Sequence, residues 1–304
     1  MKGRVLRVSG MQCLVEIGPV QWICPLRGRV KAGQRKSTSP VVVGDWVEVE
    51  PSSSSSGIIA KVYPRHSKFS RVASGPKSIE QIIAVNLDQL VVVVATRQPA
   101  MRLGFIDRAV VMALKGGMQP VICINKVDLD PESQSGQIGN VYSDIGYQVC
   151  LTSVVTGSGI DDFKSVLKDR ASVFVGHSGV GKSSLLNCID PDFSIATKSL
   201  MAKHDRGRHT TAAVQLYPLG ANGGYIADTP GIKELQLWGV DETNLIEYFT
   251  EMTQFVSGCH FRDCRHIYEP ECAVQAALER GAFSRVRYEG YKRIMKQMVY
   301  KADV

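Results

Sequence analysis

No apolar run in this chain approaches the ~18 residues that a membrane-spanning helix needs. The start, Met1-Lys2-Gly3-Arg4-Val5-Leu6-Arg7, is not followed by the apolar segment of a secretory signal. These absences argue against membrane and export classes and set the cytoplasm as the expected location. Cysteine is too sparse for a disulfide framework. Eight cysteines among 304 residues, in a chain expected in a reducing compartment, point to metal or core positions. Cys13, Cys24, Cys123, Cys150 and Cys188 stand singly in apolar surroundings and read as small core residues.

Acids are scarce in the first seventy residues. Eleven Lys and Arg face only Glu16, Asp45, Glu48 and Glu50, an excess of +7 that equals the whole formal net charge. A basic patch on one small domain is the footprint of a polyanion partner, nucleic acid before all others. A plain solvated surface is the alternative.

The length allows two or three domains. Residues 1–70 carry short apolar or alternating runs at 4–8, 13–17, 46–50 and 58–62, punctuated by Gly10, Gly44 and Gly57, with five serines at 52–56 as a hairpin tip. A small basic all-β barrel of this size suggests an oligonucleotide-binding (OB) fold. Residues 71–88 read as a connection. Strand and helix patterns then alternate. Leu90-Val91-Val92-Val93-Val94-Ala95 is a buried-strand run, and 105–115 is a helix stopped by Gly116-Gly117. Strands at 120–124, 149–151, 171–175, 214–218 and 225–227, with a helix near 160–168, imply a mostly parallel sheet covered by helices. Beyond 235 the pattern is helical. Asp241 is positioned to cap a helix with Leu245, Phe249 and Met252 on one face. Ser284 opens a last helix with Tyr288, Tyr291, Met295 and Met298 on its buried side. The expected class is multidomain α/β: a barrel over 1–70, a nucleotide-binding domain over 71–234, and a helical metal-binding domain over 235–304.

Gly176-His177-Ser178-Gly179-Val180-Gly181-Lys182-Ser183 fits GxxxxGK[ST], after a strand and before the helix that Ser184 enters. Its glycines let successive N–H groups turn toward phosphates at a helix N-terminus. Lys182 would reach the β- and γ-phosphates, and the Ser183 hydroxyl would ligate Mg²⁺. Asp228-Thr229-Pro230-Gly231 ends a later strand, so Asp228 can hold Mg²⁺ and the Gly231 N–H can meet the γ-phosphate. Asn125-Lys126-Val127-Asp128 ends the strand at 121–124. The Asp128 carboxylate accepts from guanine N1–H and N2–H₂, Asn125 donates to N7, and the Lys126 stem covers the ring; adenine lacks that donor pair, so GTP is selected over ATP. Thr152 and Ser153 sit where a loop supports the base. In Gly207-Arg208-His209-Thr210-Thr211, Thr211 is the candidate Mg²⁺ ligand that responds to the γ-phosphate. Ile232 stands where many GTPases place a water-orienting glutamine, so slow unaided hydrolysis is expected. His209 is the candidate replacement, with Arg206 or Arg208 as candidates for transition-state charge or RNA phosphate.

The order of these motifs is rotated: the base-reading motif comes first, the phosphate loop second, Asp228 third. That is the order of a circularly permuted GTPase. Cys259, Cys264, His266 and Cys272 form a closed Cys₃His set suited to structural zinc, with His260 as an alternate ligand. Their surroundings are polar, so the metal would supply much of the local stability.

Taken together, Asn125 to Asp128, the stretch 176–187, Gly207 to Thr211, Asp228 to Ile232 and the stretch 259–272 resemble the RsgA (YjeQ/YloQ) family over essentially the whole chain. That resemblance implies GTP hydrolysis stimulated by the small ribosomal subunit, a role in its late maturation, and rRNA contacts through the OB and zinc domains. Partners would be the subunit, its rRNA and GTP or GDP, with no membrane, and the chain a monomer. Thr152-Ser153 departs from the more usual Ser-Ala, and the long basic N-terminal extension of some members is missing. A GTP-dependent RNA-binding module with incidental hydrolysis is the other class left open, kept alive by Ile232.

Overall fold

A computed structural model describes residues 1–26, 40–73, 79–130, 132–191, 214–220, 223–228 and 235–302. Five strands come first: β1 Lys2–Ser9, β2 Gln12–Ile17, β3 Val20–Pro25, β4 Trp46–Pro51 and β5 Gly57–Val62. β1 pairs antiparallel with both β2 and β4, β2 with β3, and β4 with β5. Parallel bridges from Ile23 to Ser56 and from Leu26 to Ile59 bring β3 against β5 and close the ring. The resulting order, 1-2-3-5-4 back to 1, is the five-stranded OB barrel. It fills with Val5, Val15, Trp22, Val47, Val49, Ile59 and two cysteines. The serine run is the β4–β5 hairpin tip, where the Ser52 N–H donates to the Ser56 carbonyl at 2.9 Å.

The stretch read as a connection holds β7 Glu80–Val85 and the end of β6 Lys68–Val72, which begins within the residues read as barrel; the two strands pair antiparallel. Their alternation is weak because Ile83, Ala84 and Val85 are buried in a row, with Val85 donating to the Val43 carbonyl beside the barrel. β3 also escaped the sequence reading, since Val20 and Ile23 face outward.

The central sheet runs β10-β9-β8-β11-β13-β12, where β8 is Gln89–Ala95, β9 Gln119–Asn125, β10 Gln148–Thr152, β11 Ala171–Val175, β12 Gln215–Pro218 and β13 Tyr225–Asp228. The first five are parallel and β12 is antiparallel to β13. β8 shows how the apolar run becomes two layers. Leu90, Val92 and Val94 face the core under the helices Leu103–Lys115 and Gln134–Ser143, whereas Val91, Val93 and Ala95 face Ile160–Leu167 and Lys182–Ile189. The helix Gln134–Ser143 gave no sequence signal because two glycines and several polar residues dilute its periodicity. β1 of the barrel also pairs with β12, Arg7 opposite Gln215, so barrel and sheet are continuous.

The C-terminal lobe contains Leu245–Tyr248, Thr250–Thr253, Val256–Gly258, Ala273–Glu279 and the long Arg285–Ala302. Asp241 does not cap the helix expected of it: its carboxylate accepts from the Thr243 and Asn244 N–H groups in a turn, and Asn244 is the N-cap of the element that follows. The single helix expected there is not formed: non-helical backbone at Phe249 breaks the segment into a 3₁₀ turn and one α-turn. Leu245, Phe249 and Met252 are nevertheless all fully buried. No helix among the described residues is long and apolar enough to cross a membrane.

Candidate functional site

Parallel strands β9, β8 and β11 deliver their C-terminal ends to one edge of the sheet, the edge at which α/β folds hold ligands. Asn125 ends β9, only 1% exposed. Its Nδ2 donates to the Val180 carbonyl at 3.0 Å, and its Oδ1 accepts from Thr152 Oγ1 at 3.1 Å. One amide therefore ties together β9, the end of β10 and the phosphate loop. Gly181, at φ 95°, is required here: a Cβ would lie 2.4 Å from Asn125 Nδ2.

Lys126 takes a left-handed conformation (φ 61°), its carbonyl accepting from Thr96 Oγ1 at 2.5 Å and its Nζ donating to the Gln98 carbonyl. Asp128 is exposed, with one carboxylate oxygen accepting from Ser153 Oγ at 2.5 Å. Ser153 is itself buried and accepts from the Thr156 N–H at 3.2 Å. A hydroxyl on one oxygen orients the carboxylate and leaves the rest of its acceptor capacity to solvent. Val127 is half-buried, and Val155 in the neighbouring loop is 84% exposed.

The phosphate loop leaves β11 at Gly176 and enters the helix Lys182–Ile189. Ser178, Gly179, Ser183 and Ser184 lie at its mouth, all exposed. The Lys182 ammonium donates to the Gly176 carbonyl and, at 2.9 Å, to the His177 carbonyl. Burial lowers its pKa. His177 is also lowered, by burial first and then by the charges of Arg102 and Lys182, so it is neutral at pH 7. Its ring rests on Phe105, centroids 4.4 Å apart. β13 runs beside β11 and carries Asp228 to the same sheet end. The Asp228 side chain, Arg206, Arg208, His209, Thr211, Gly231 and Ile232 lie outside the described residues.

In the C-terminal lobe Cys259, Cys264, His266 and Cys272 converge, their ligand atoms all within 4.8 Å of one another. Cys259 Sγ and Cys272 Sγ are 3.9 Å apart, and each lies 3.5 Å from His266 Nδ1. Zinc bonds of about 2.3 Å to sulfur and 2.0–2.1 Å to nitrogen place tetrahedral neighbours at about 3.8 Å and about 3.6 Å, so this donor set fits zinc. The loop is fixed from behind. The Glu269 carboxylate accepts from the Arg265, Ile267 and Tyr268 N–H groups, while Tyr288 and Tyr291 donate to the His266 and Arg265 carbonyls. The Tyr stripe read as core therefore also supports the cluster. His260 stands apart, beside Glu271 at 3.5 Å.

Three features were missed in the sequence. Thr96 and Gln98, between β8 and the following helix, hold Lys126; the Gln98-Pro99 punctuation after a buried strand was the available signal. Four cysteines read as single are cross-strand neighbours, Cys13 with Cys24 and Cys123 with Cys150, a register no sequence pattern displays. Burial pushes the Cys13 and Cys123 thiols up to about 12 and Cys150 to about 11, so they behave as core groups. The third, Arg287, is fully buried between lobe and sheet domain.

The family described as RsgA GTPase matches residues 62–238. The chain is 36% identical over 303 residues to the small ribosomal subunit biogenesis GTPase RsgA of Caldanaerobacter subterraneus, covering 99% of this chain and 97% of that protein. It is 35% identical to the protein of the same name in Chlorobaculum parvum, covering 98% of each. Among solved structures it is similar to YjeQ from Thermotoga maritima, with TM-score 0.80, 32% identity and 98% of both chains covered. It is also similar to YloQ, described as a circularly permuted GTPase, with TM-score 0.76, 30% identity, and 99% and 95% covered.

Proposed function

The chain belongs to the RsgA GTPase family, and from that premise we propose that it hydrolyses GTP on the small ribosomal subunit, with stimulation by the subunit, late in its maturation. The observation that carries the reading is the Asn125 amide bonded to the Val180 carbonyl, which joins the base-reading motif to the phosphate loop despite their reversed order.

In this reading Asp128 accepts from guanine N1–H and N2–H₂ while Ser153 holds its other face, and Asn125 fixes loop against base. Lys126 and Val127 complete that motif, and Thr152 supports Asn125. The N–H groups of 176–184 surround the phosphates, with Lys182 exchanging its carbonyl partners for phosphate oxygens. Ser183, Thr211 and Asp228 are the residues that would hold Mg²⁺, which supplies charge neutralisation between the phosphates. The Gly231 N–H meets the γ-phosphate and His209 orients the attacking water. Cys259, Cys264, His266 and Cys272 hold one structural zinc. Residues 1–70 form an OB domain, 71–234 the GTPase domain and 235–304 the zinc domain. The first and last contact rRNA, and the protein acts in the cytoplasm as a monomer. Lys2, Lys61 and the aromatics Trp46 and Tyr63 supply a basic, stacking-competent barrel surface in support.

The test is turnover by the zinc-loaded protein with GTP or ATP, with and without purified small subunits. Stimulation with GTP alone is expected. Tight subunit binding with no stimulation would replace the enzyme reading by that of a GTP-dependent RNA-binding module. Equal turnover of ATP would remove the role of Asp128.

A further inference from the structure

The helix Leu103–Lys115 meets the phosphate loop on one face and the C-terminal lobe on another, two sites that the chain itself joins through 184–234. On one side, in its first turn, Phe105 carries the His177 ring of the phosphate loop. Two residues on, about 200° around the helix, Asp107 faces the C-terminal lobe and is 1% exposed. Its Oδ1 accepts from Arg287 at 2.5 Å and from the Tyr142 hydroxyl at 3.0 Å. Arg287, wholly buried, also bonds Glu251 at 2.7 Å and lies over the Phe249 ring at 4.5 Å. Burial raises the Asp107 pKa while Arg287 opposes that shift.

The long helix is pressed onto this point. A Cβ on Gly290 would fall 2.1 Å from Asp107 Oδ2, and one on Gly104 would fall 2.9 Å from the Arg293 guanidinium. Arg108 reaches Gln297 one turn further, and Val111 packs within the apolar cluster of the lobe. Such a contact has no soft element: a buried ion pair tolerates little displacement before its charges are left unpaired.

The phosphate loop is movable by chemistry. Lys182 is bonded to the carbonyls of Gly176 and His177. A bound nucleotide's β-phosphate would compete with both carbonyls for the ammonium, so binding bears directly on the backbone that carries the His177 ring.

We propose that the helix Leu103–Lys115 is a rigid coupler, which reads the phosphate loop through the Phe105/His177 stack and passes its state through Asp107 and Arg287 to the docking of the cysteine-cluster lobe. This rests on the phosphate-loop reading of 176–183 and not on the ribosomal partner. Phe105, Asp107 and Arg287 are positioning residues. Because the signal starts at Lys182, a diphosphate suffices; a route through 229–234 would need the γ-phosphate. By reciprocity, lobe docking alters nucleotide affinity by the same factor.

Amide hydrogen exchange over 285–302 in the full-length, zinc-loaded protein tests this with GDP and with a non-hydrolysable GTP analogue. GDP alone is expected to change exchange there about five-fold or more, the lower end of ordinary coupling. Phe105→Leu is expected to bind GDP and lose that change, and Phe105→Tyr, which keeps a ring on His177, to retain it. Phe105→Met serves if the leucine variant does not fold. A change seen only with the triphosphate analogue, or one that persists in Phe105→Leu or Phe105→Met, overturns the proposal. Failure to bind GDP at all, seen separately in the titration, overturns the phosphate-loop reading and the coupler with it.

Discussion

The base-reading corner and the cysteine-cluster lobe each converge four side chains, Asn125, Asp128, Thr152 and Ser153 in one and Cys259, Cys264, His266 and Cys272 in the other. The corner stands at the ends of β9 and β10, in a sheet whose neighbouring strand β8 is buried along its whole length. Thr152 bonds Asn125, Ser153 bonds Asp128 and Asn125 bonds the Val180 carbonyl, all at 2.5–3.1 Å, so the strand ends fix these side chains before any ligand arrives. The lobe is built from short turns and helices, with a buried Arg287 and two carboxylates as its anchor. Preorganisation in the corner is a by-product of hydrophobic burial. In the lobe a zinc-compatible donor set and the buried charges of Arg287, Asp107 and Glu251 are added to an apolar cluster.

The comparison breaks most severely on metal removal. Chelation is expected to unfold 259–272, since structural zinc in such sites contributes about 10–16 kcal/mol of binding free energy. GTP affinity should fall no more than about 100-fold, the range of a coupling term. Limited proteolysis beside a nucleotide titration measures both, and equal collapse of the two would erase the distinction. Next is Arg287→Ala, which strands Asp107 and Glu251 and is expected to cost about 3–5 kcal/mol in urea unfolding. A loss below about 1 kcal/mol, the scale of an exposed pair, would mean the anchor contributes little.

In the corner the effects are on ligand rather than fold. Asp128→Asn removes a charged acceptor from two guanine donors, about 1.5–3 kcal/mol each, so GTP affinity should drop about 100-fold or more. Xanthosine triphosphate, whose O2 accepts from an amide, should recover part of it; unchanged GTP binding would displace Asp128 from base reading. Ser153→Ala is the smallest step. Losing one hydrogen bond to Asp128 is worth about 1 kcal/mol, a roughly five-fold affinity change, with only a small fall in melting temperature from the lost acceptor of the Thr156 N–H. A large fall in melting temperature would show that Ser153 holds the fold and not the carboxylate.

Legibility in the sequence divides along the same line. Asn125, Asp128 and the phosphate loop were readable because strand, turn and motif are local, and a buried strand announces itself by its apolar run. The Cys₃His set was readable from spacing alone. Arg287 was not: it sits in a helix whose Tyr/Met stripe reads as core, and its partner Asp107 is far away in sequence. The barrel closure of β3 on β5 and the cysteine pairs were hidden because register and strand pairing are set by topology, and the β6–β7 hairpin because Ile83, Ala84 and Val85 are buried in a row and blunt its alternation. The split of the expected helix after Asp241 has a different cause: side-chain periodicity of 3.6 survives a 3₁₀ turn, so the pattern was right and the backbone was not.

The pairing of β1 with β12 bears on how the chain is made. β1 is among the first residues to emerge during synthesis, yet its partner Gln215 and the Tyr225 ring that lies 4.3 Å from the Arg4 guanidinium come about two-thirds of the way along. The barrel can therefore close early while one flank stays uncovered, and the central sheet gains β11 and β13 only after β8, β9 and β10 have been extruded. Permutation thus sets a timetable. The strand ends that carry Asn125 and Thr152 are assembled first, the loop at 176–183 second, and the seam that welds the barrel to the sheet last, once β12 has been made.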